Sequence, residues 1–202
     1  MSLMDKVIAA VAPPESEETR REAHETARRS ASPGDWLALV LDHHESIDAA
    51  FLLVKEATTA AEQVAAQKKL AILLTGHSVA EEAALYPALS SAGENSHAVK
   101  AYTEQSAAKL QLGLLEKLTP LTQEYLDKLE HIRGAVAHHV YEEESDWFLD
   151  IKRNLPGAEQ DRLTARYREE FSRYVGAAAE SVEGMRSTGS PREGVPRVSS
   201  VA

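Results

Sequence analysis

The chain has 202 residues, a formal charge of −10 and no cysteine. That length fits one domain with a sizeable core. The missing thiols exclude disulfides, thiolate zinc sites and cysteine-held iron–sulfur clusters, and the acidic balance opposes a nucleic-acid surface. No apolar run approaches the roughly 18 residues of a membrane span, and the N-terminus lacks a signal-peptide core. A cytoplasmic protein with no membrane partner is expected.

Many Ala, Leu, Glu, Lys and Gln with few aromatics make a helical composition. Residues 1–34 read as a loosely attached N-terminal arm, broken at Pro13-Pro14 and partly helical from Glu15. The turn Ser32-Pro33-Gly34-Asp35 opens the first strong helix, whose stripe is Trp36, Val40, His44, Ile47, Phe51 and Val54. Thr59-x-x-Glu62 is a capping box for the second helix. That helix carries Leu70, Leu74, His77, Glu81 and Leu85, and fades through Pro87 to Gly93. A third helix starts near Asn95 and carries Ala98, Ala101, Gln105, Ala108, Leu112 and Leu115. Thr119-Pro120 fits the start of the fourth, with stripe Tyr125, Leu129, Ile132, Val136, His139, Glu143 and Trp147. Four long helices with short connections predict an all-α, up-down-up-down four-helix bundle over residues 35–153. An extra C-terminal helix is expected over 154–182, and a disordered tail over 183–202, rich in Ser, Gly, Pro and Arg.

The chemistry-bearing residues stand where the stripes call for leucine. His44, His77 and His139 each fall on an apolar face, and His77 and His139 each have a glutamate four residues on, Glu81 and Glu143. Residues four apart share a helix face, so each pair can reach one ion. The two units lie 62 residues apart and carry matching aromatics, Tyr86 and Phe148, nine residues after their histidines. Buried imidazoles and carboxylates are costly unless paired or bound to metal. The first and third helices repeat in the same way, and 61 residues after His44 stands Gln105. His43 and His138 are rotated about 100° toward a flank and read as supporting or surface groups. His24, His97 and His131 read as solvated, as do Glu82, Glu142 and Glu144 on the outer flanks. Trp36, Phe51, Tyr125 and Trp147 read as core packing, with Phe51 and Trp147 able to line a dry pocket beside the metal. Glu94-x-x-His97 is the one Glu-x-x-His spacing and sits at a helix start, which disfavours a ferritin-like site.

A lone histidine, His-x3-Glu, a further lone position and a second His-x3-Glu, on four successive helices, make the chain resemble the hemerythrin-like (HHE cation-binding) family. His44 in Asp42-His43-His44 matches the first element. His77 and Glu81, before Glu82-Ala83-Ala84-Leu85-Tyr86-Pro87, match the second, and His139 and Glu143 match the fourth. Gln105 stands where the family has histidine. The resemblance covers about residues 35–152 and implies two non-heme iron ions, oxo- or hydroxo-bridged, with Glu81 and Glu143 bridging and His44, His77 and His139 as nitrogen donors. At the sixth position the options are a missing protein ligand, coordination by Gln105, a phenolate from Tyr102, or a mononuclear site. The implied partner is a small diatomic ligand, dioxygen or nitric oxide, or hydrogen peroxide, with catalase-like peroxide removal as one activity. The alternative is a helical interaction module with a degenerate or mononuclear metal site.

Overall fold

The computed structural model describes residues 15–187 except residue 92, and for 178–187 the backbone alone. The expectations for residues 1–14 and for the tail beyond 187 lie outside the described residues. The helices are α1 (Glu17–Ser30), α2 (Trp36–Glu56), α3 (Ala60–Ser91), α4 (Asn95–Leu115), α5 (Gln123–Glu142), α6 (Phe148–Asn154) and α7 (Gly157–Ser187). A π-helical turn, Glu143–Trp147, joins α5 to α6. Helices α2 to α5 form the expected bundle.

Local chemistry sets the helix starts. Asp35 caps α2, its Oδ1 accepting from the Ala38 N–H at 2.8 Å while Oδ2 accepts from the Ser32 N–H. Glu62 accepts from the Thr58 and Thr59 N–H groups and Thr59 Oγ1 accepts from the Glu62 N–H, the capping box expected for α3. Helix α5 starts three residues later than Thr119-Pro120 suggested, because Thr122 Oγ1 takes the cap role toward Tyr125. The Leu121 N–H donates instead to the buried Gln63 side chain at 2.7 Å, which anchors the turn at a φ of 64°.

Two elements depart from expectation. Helix α1 is no loose arm: Ala23 and Ala27 are buried, and Arg28 pairs with Asp42 and Glu45 of α2, both at 2.7 Å. Helix α7 runs past Glu183, where a tail was expected, to Ser187. It packs on α3 at Gly76, where an added Cβ would meet Val175 at 3.0 Å and Tyr174 at 3.2 Å. A side chain at position 76 would press on these two side chains beside His77.

The core divides in two. One apolar cluster gathers Trp36, Val40, Leu41, Leu85, Leu89, Trp147 and Phe148, and the other Ile47, Phe51, Leu70, Leu74, Leu112, Leu129 and Val136. Between them along every bundle helix falls the layer of His44, His77, Glu81, Gln105, His139 and Glu143, all buried.

Asp35 is also joined to Lys152 of α6 at 2.6 Å. Burial raises its pKa, but Lys152 and the Ala38 and Ser32 N–H groups outweigh this and hold it below the ordinary value. A depressed carboxylate pKa stabilises the fold above the unfolded value and loses that contribution as pH falls through the folded one. Asp35→Ala is therefore expected to lower stability by about 1 kcal/mol at neutral pH. In urea denaturation the gap to wild type should narrow below about pH 4.

Candidate metal centre

Each bundle helix delivers its group at the same height. Among His44, His77, Glu81 and Glu143, one donor atom from each lies within 4.8 Å of all the others. His44 Nε2 faces Glu143 Oε2 at 3.4 Å and Glu81 Oε1 at 3.8 Å. His77 Nε2 lies 3.2 Å from Glu81 Oε2. His139 stands on the other side of the carboxylates, with Nε2 3.2 Å from Glu143 Oε1. Gln105 Nε2 donates to Glu81 Oε2, so it meets the layer as a hydrogen-bond donor.

The ring orientations are held from outside. His44 Nδ1 is 2.8 Å from Glu144, His139 Nδ1 is 2.8 Å from Glu104, and His77 Nδ1 is 3.0 Å from the Tyr167 hydroxyl. A ring whose Nδ1–H is engaged in this way turns its Nε2 lone pair inward, the arrangement of metal-bound histidines. The Tyr167 hydroxyl also lies 2.7 Å from His43 Nδ1, and Phe171 stacks on the His43 ring at 3.9 Å. The C-terminal helix thus closes over the His77 side of the centre.

Inside the layer several buried atoms make no hydrogen bond. They are His44 Nε2, Glu81 Oε1, Glu143 Oε2 and Gln105 Oε1. The first three face one another, and such orphaned polar atoms cost about 1–3 kcal/mol each unless something positive joins them. The residues present therefore fit a cation.

The titration behaviour says the same. Burial opposes a charge on His44, yet Glu143, Glu144 and Glu81 outweigh it and raise the ring well above the ordinary histidine value. At His139 burial is likewise overcome, by Glu143 and Glu104, and the pKa rises to about 10. Burial and then the charge of Glu143 push Glu81 up to about 7. Burial also acts to raise Glu143, but His139 and His44 hold it well below the usual carboxylate range. Burial and the neighbouring His44 keep His77 neutral, well below the ordinary value. The layer is a well of negative potential in which protons stand in for metal, and metal would displace them.

Several outlying residues sit differently from their sequence reading. Glu144, expected on the solvated flank, is buried between His44 and His24. The reason is helix α1, which packs against the π-turn and covers the flank on which Glu144 stands, bringing His24 to it. His24, expected to be solvated, bridges Glu144 and Glu45 at 3.0 Å each. His97 stacks on Trp147 at 5.5 Å. His138 meets Glu15 at 3.0 Å, and Glu142 is paired with Lys100. Tyr102 is not aimed at the layer; its hydroxyl donates to the Glu82 carbonyl at 2.8 Å. Tyr86 does reach the layer, its hydroxyl touching Glu81, His139 and Glu143.

A family model, the hemerythrin HHE cation-binding domain, matches residues 37–149, which span α2 to α5 and the π-turn. The chain belongs to this hemerythrin family. In this hemerythrin-domain protein the family match ends before α7, so Tyr167 is an addition from outside the matched segment. Among curated proteins, a DNA nickase of Nostoc sp. is 30% identical over 95 residues. That stretch is 47% of this chain and 27% of the nickase, so the chain spans about a quarter of that relative's length. No solved structure matches.

Because Glu144 holds His44 in its inward-facing tautomer, Glu144→Gln is expected to weaken metal binding by roughly 10–100-fold. Helix content should stay unchanged. Metal titration followed by calorimetry, with circular dichroism alongside, checks both.

Proposed function

We propose that this hemerythrin-domain protein holds two non-heme iron ions in its buried polar layer and uses them on dioxygen, nitric oxide or hydrogen peroxide. Removal of hydrogen peroxide is the reaction we favour. The observation that carries the reading is the set of three unpartnered buried polar atoms, His44 Nε2, Glu81 Oε1 and Glu143 Oε2, turned toward one another. His44, His77, Glu81, Glu143 and His139 would hold the metal.

The donor chemistry narrows the ion. Imidazole and carboxylate suit iron, manganese or zinc, and redox work on an oxidant favours the first two. Iron bound here would supply electrons and an exchangeable coordination position. The chain's own part is orientation and exclusion. Glu144, Glu104 and Tyr167 fix the three rings, and the apolar clusters on either side of the layer keep bulk water out. The donor residues are between 0% and 7% exposed, so only a reactant of a few atoms can reach them. Trp147 lies between His139 and a surface cavity of about 320 Å³ lined by His97, Lys100 and Glu142, a place of approach for such a molecule. DNA nicking, the activity in the Nostoc relative's name, draws no support from a chain of charge −10.

Disproportionation converts two hydrogen peroxide molecules to two waters and one dioxygen. Iron-loaded protein is expected to evolve dioxygen from hydrogen peroxide above an equal amount of free iron, with Glu143→Ala returning the rate to that background. An oxygen electrode measures it. No evolution by fully loaded protein would leave binding of a diatomic ligand as the function.

A further inference from the structure

Tyr86 is the polar group of the centre that the six-position ligand pattern leaves unused. Its side chain is fully buried near the end of α3. The hydroxyl oxygen lies 3.2 Å from Glu81 Oε2, 2.9 Å from Glu143 Oε1 and 3.1 Å from His139 Nε2. Once metal displaces the protons held in the layer, with the His139 Nδ1–H kept by Glu104, all three neighbours are acceptors, while a phenol has one proton to give. One proton cannot serve three acceptors. A cation can.

The spacing fits as well. Bonds of about 2.1 Å at right angles place neighbouring donor atoms about 3 Å apart. The three separations around the Tyr86 oxygen, 2.9 to 3.2 Å, match that edge. On the opposite count, Gln105 directs its N–H at Glu81, and its carbonyl oxygen meets no partner. The third-helix position therefore spends its amide N–H on a hydrogen bond to Glu81 and brings no imidazole nitrogen to the layer. The place on the His139 side is short of one donor, and Tyr86 stands beside it.

We propose that Tyr86 is a phenolate ligand to the metal ion on the His139 side, filling the position that Gln105 leaves without a donor. The assignment rests on the iron reading above. Coordination replaces the phenolic proton, which passes to solvent, and forms one metal–oxygen bond with no change of oxidation state. An anionic oxygen in place of a neutral imidazole offsets more of the charge of a ferric ion at that side. The two metal positions are then unequal: His44 and His77 serve one, His139 and Tyr86 the other.

The test loads the full chain anaerobically with ferrous iron, admits air, and records iron content, visible absorption and resonance Raman spectra. Wild type should show a visible phenolate-to-iron(III) charge-transfer band with enhanced tyrosine ring modes. Tyr86→Phe should lose the band and about one iron per chain, whereas Tyr102→Phe keeps both and Tyr167→Phe, which loosens only the His77 side, keeps the band. If Tyr86→Phe does not fold, wild type and the other two variants still decide: a band that persists in both assigns it to Tyr86. Iron-loaded wild type without the band, or a band that survives Tyr86→Phe or vanishes in Tyr102→Phe, overturns the ligand assignment and leaves the iron reading standing. Wild type that takes up no iron overturns both.

Discussion

A sheet of charge and lone pairs cuts through an otherwise apolar bundle. Three imidazoles, two carboxylates, an amide and a phenol lie between two hydrophobic clusters, and none is more than 7% exposed. Such a layer is destabilising by itself, since each unsatisfied buried acceptor forfeits its hydration. It persists where a bound cation returns more than that, because a ligand held only by the folded state adds its binding free energy to stability. The bundle supplies rigidity at this height: each helix carries apolar residues on both sides of its polar one, so no ligand sits at a frayed end.

The elements outside the bundle follow from the same requirement. Helix α1 brings His24 to Glu144, and Glu144 fixes His44. Helix α7 brings Tyr167 to His77 and His43, and its close approach depends on Gly76. Glu104, one residue before Gln105, fixes His139. The inner rings are thus each steadied by a partner from a different element, and α1 and α7 belong to the centre as much as the four long helices do.

Much of this was legible in the sequence because amphipathic periodicity is a strong signal. His44, His77, Glu81, Gln105, His139 and Glu143 fall on the buried stripes, and the structure sets them at one level. What periodicity could not show was cover from outside the bundle. Glu144 is 100° off the stripe in an α-helix, and it is buried because α1 packs over that flank and His24 meets it. Tyr167 and His24 are contacts between elements distant in the chain, with no local pattern to announce them. Tyr86 was visible as a recurring aromatic offset, but its hydroxyl's three partners come from two helices and required coordinates. Tyr102 looked as well placed one turn from Gln105, yet its ring leans away to the Glu82 carbonyl.

The most direct test of the central claim is anomalous diffraction at the iron edge from crystals of iron-loaded protein. Two peaks are predicted, both flanked by the carboxylates of Glu81 and Glu143, one beside His44 and His77 and the other beside His139. A single peak would contradict the two-ion centre. No peak in the layer, or iron found only at the half-exposed group of Glu104, His138 and Glu142, would contradict the account as a whole.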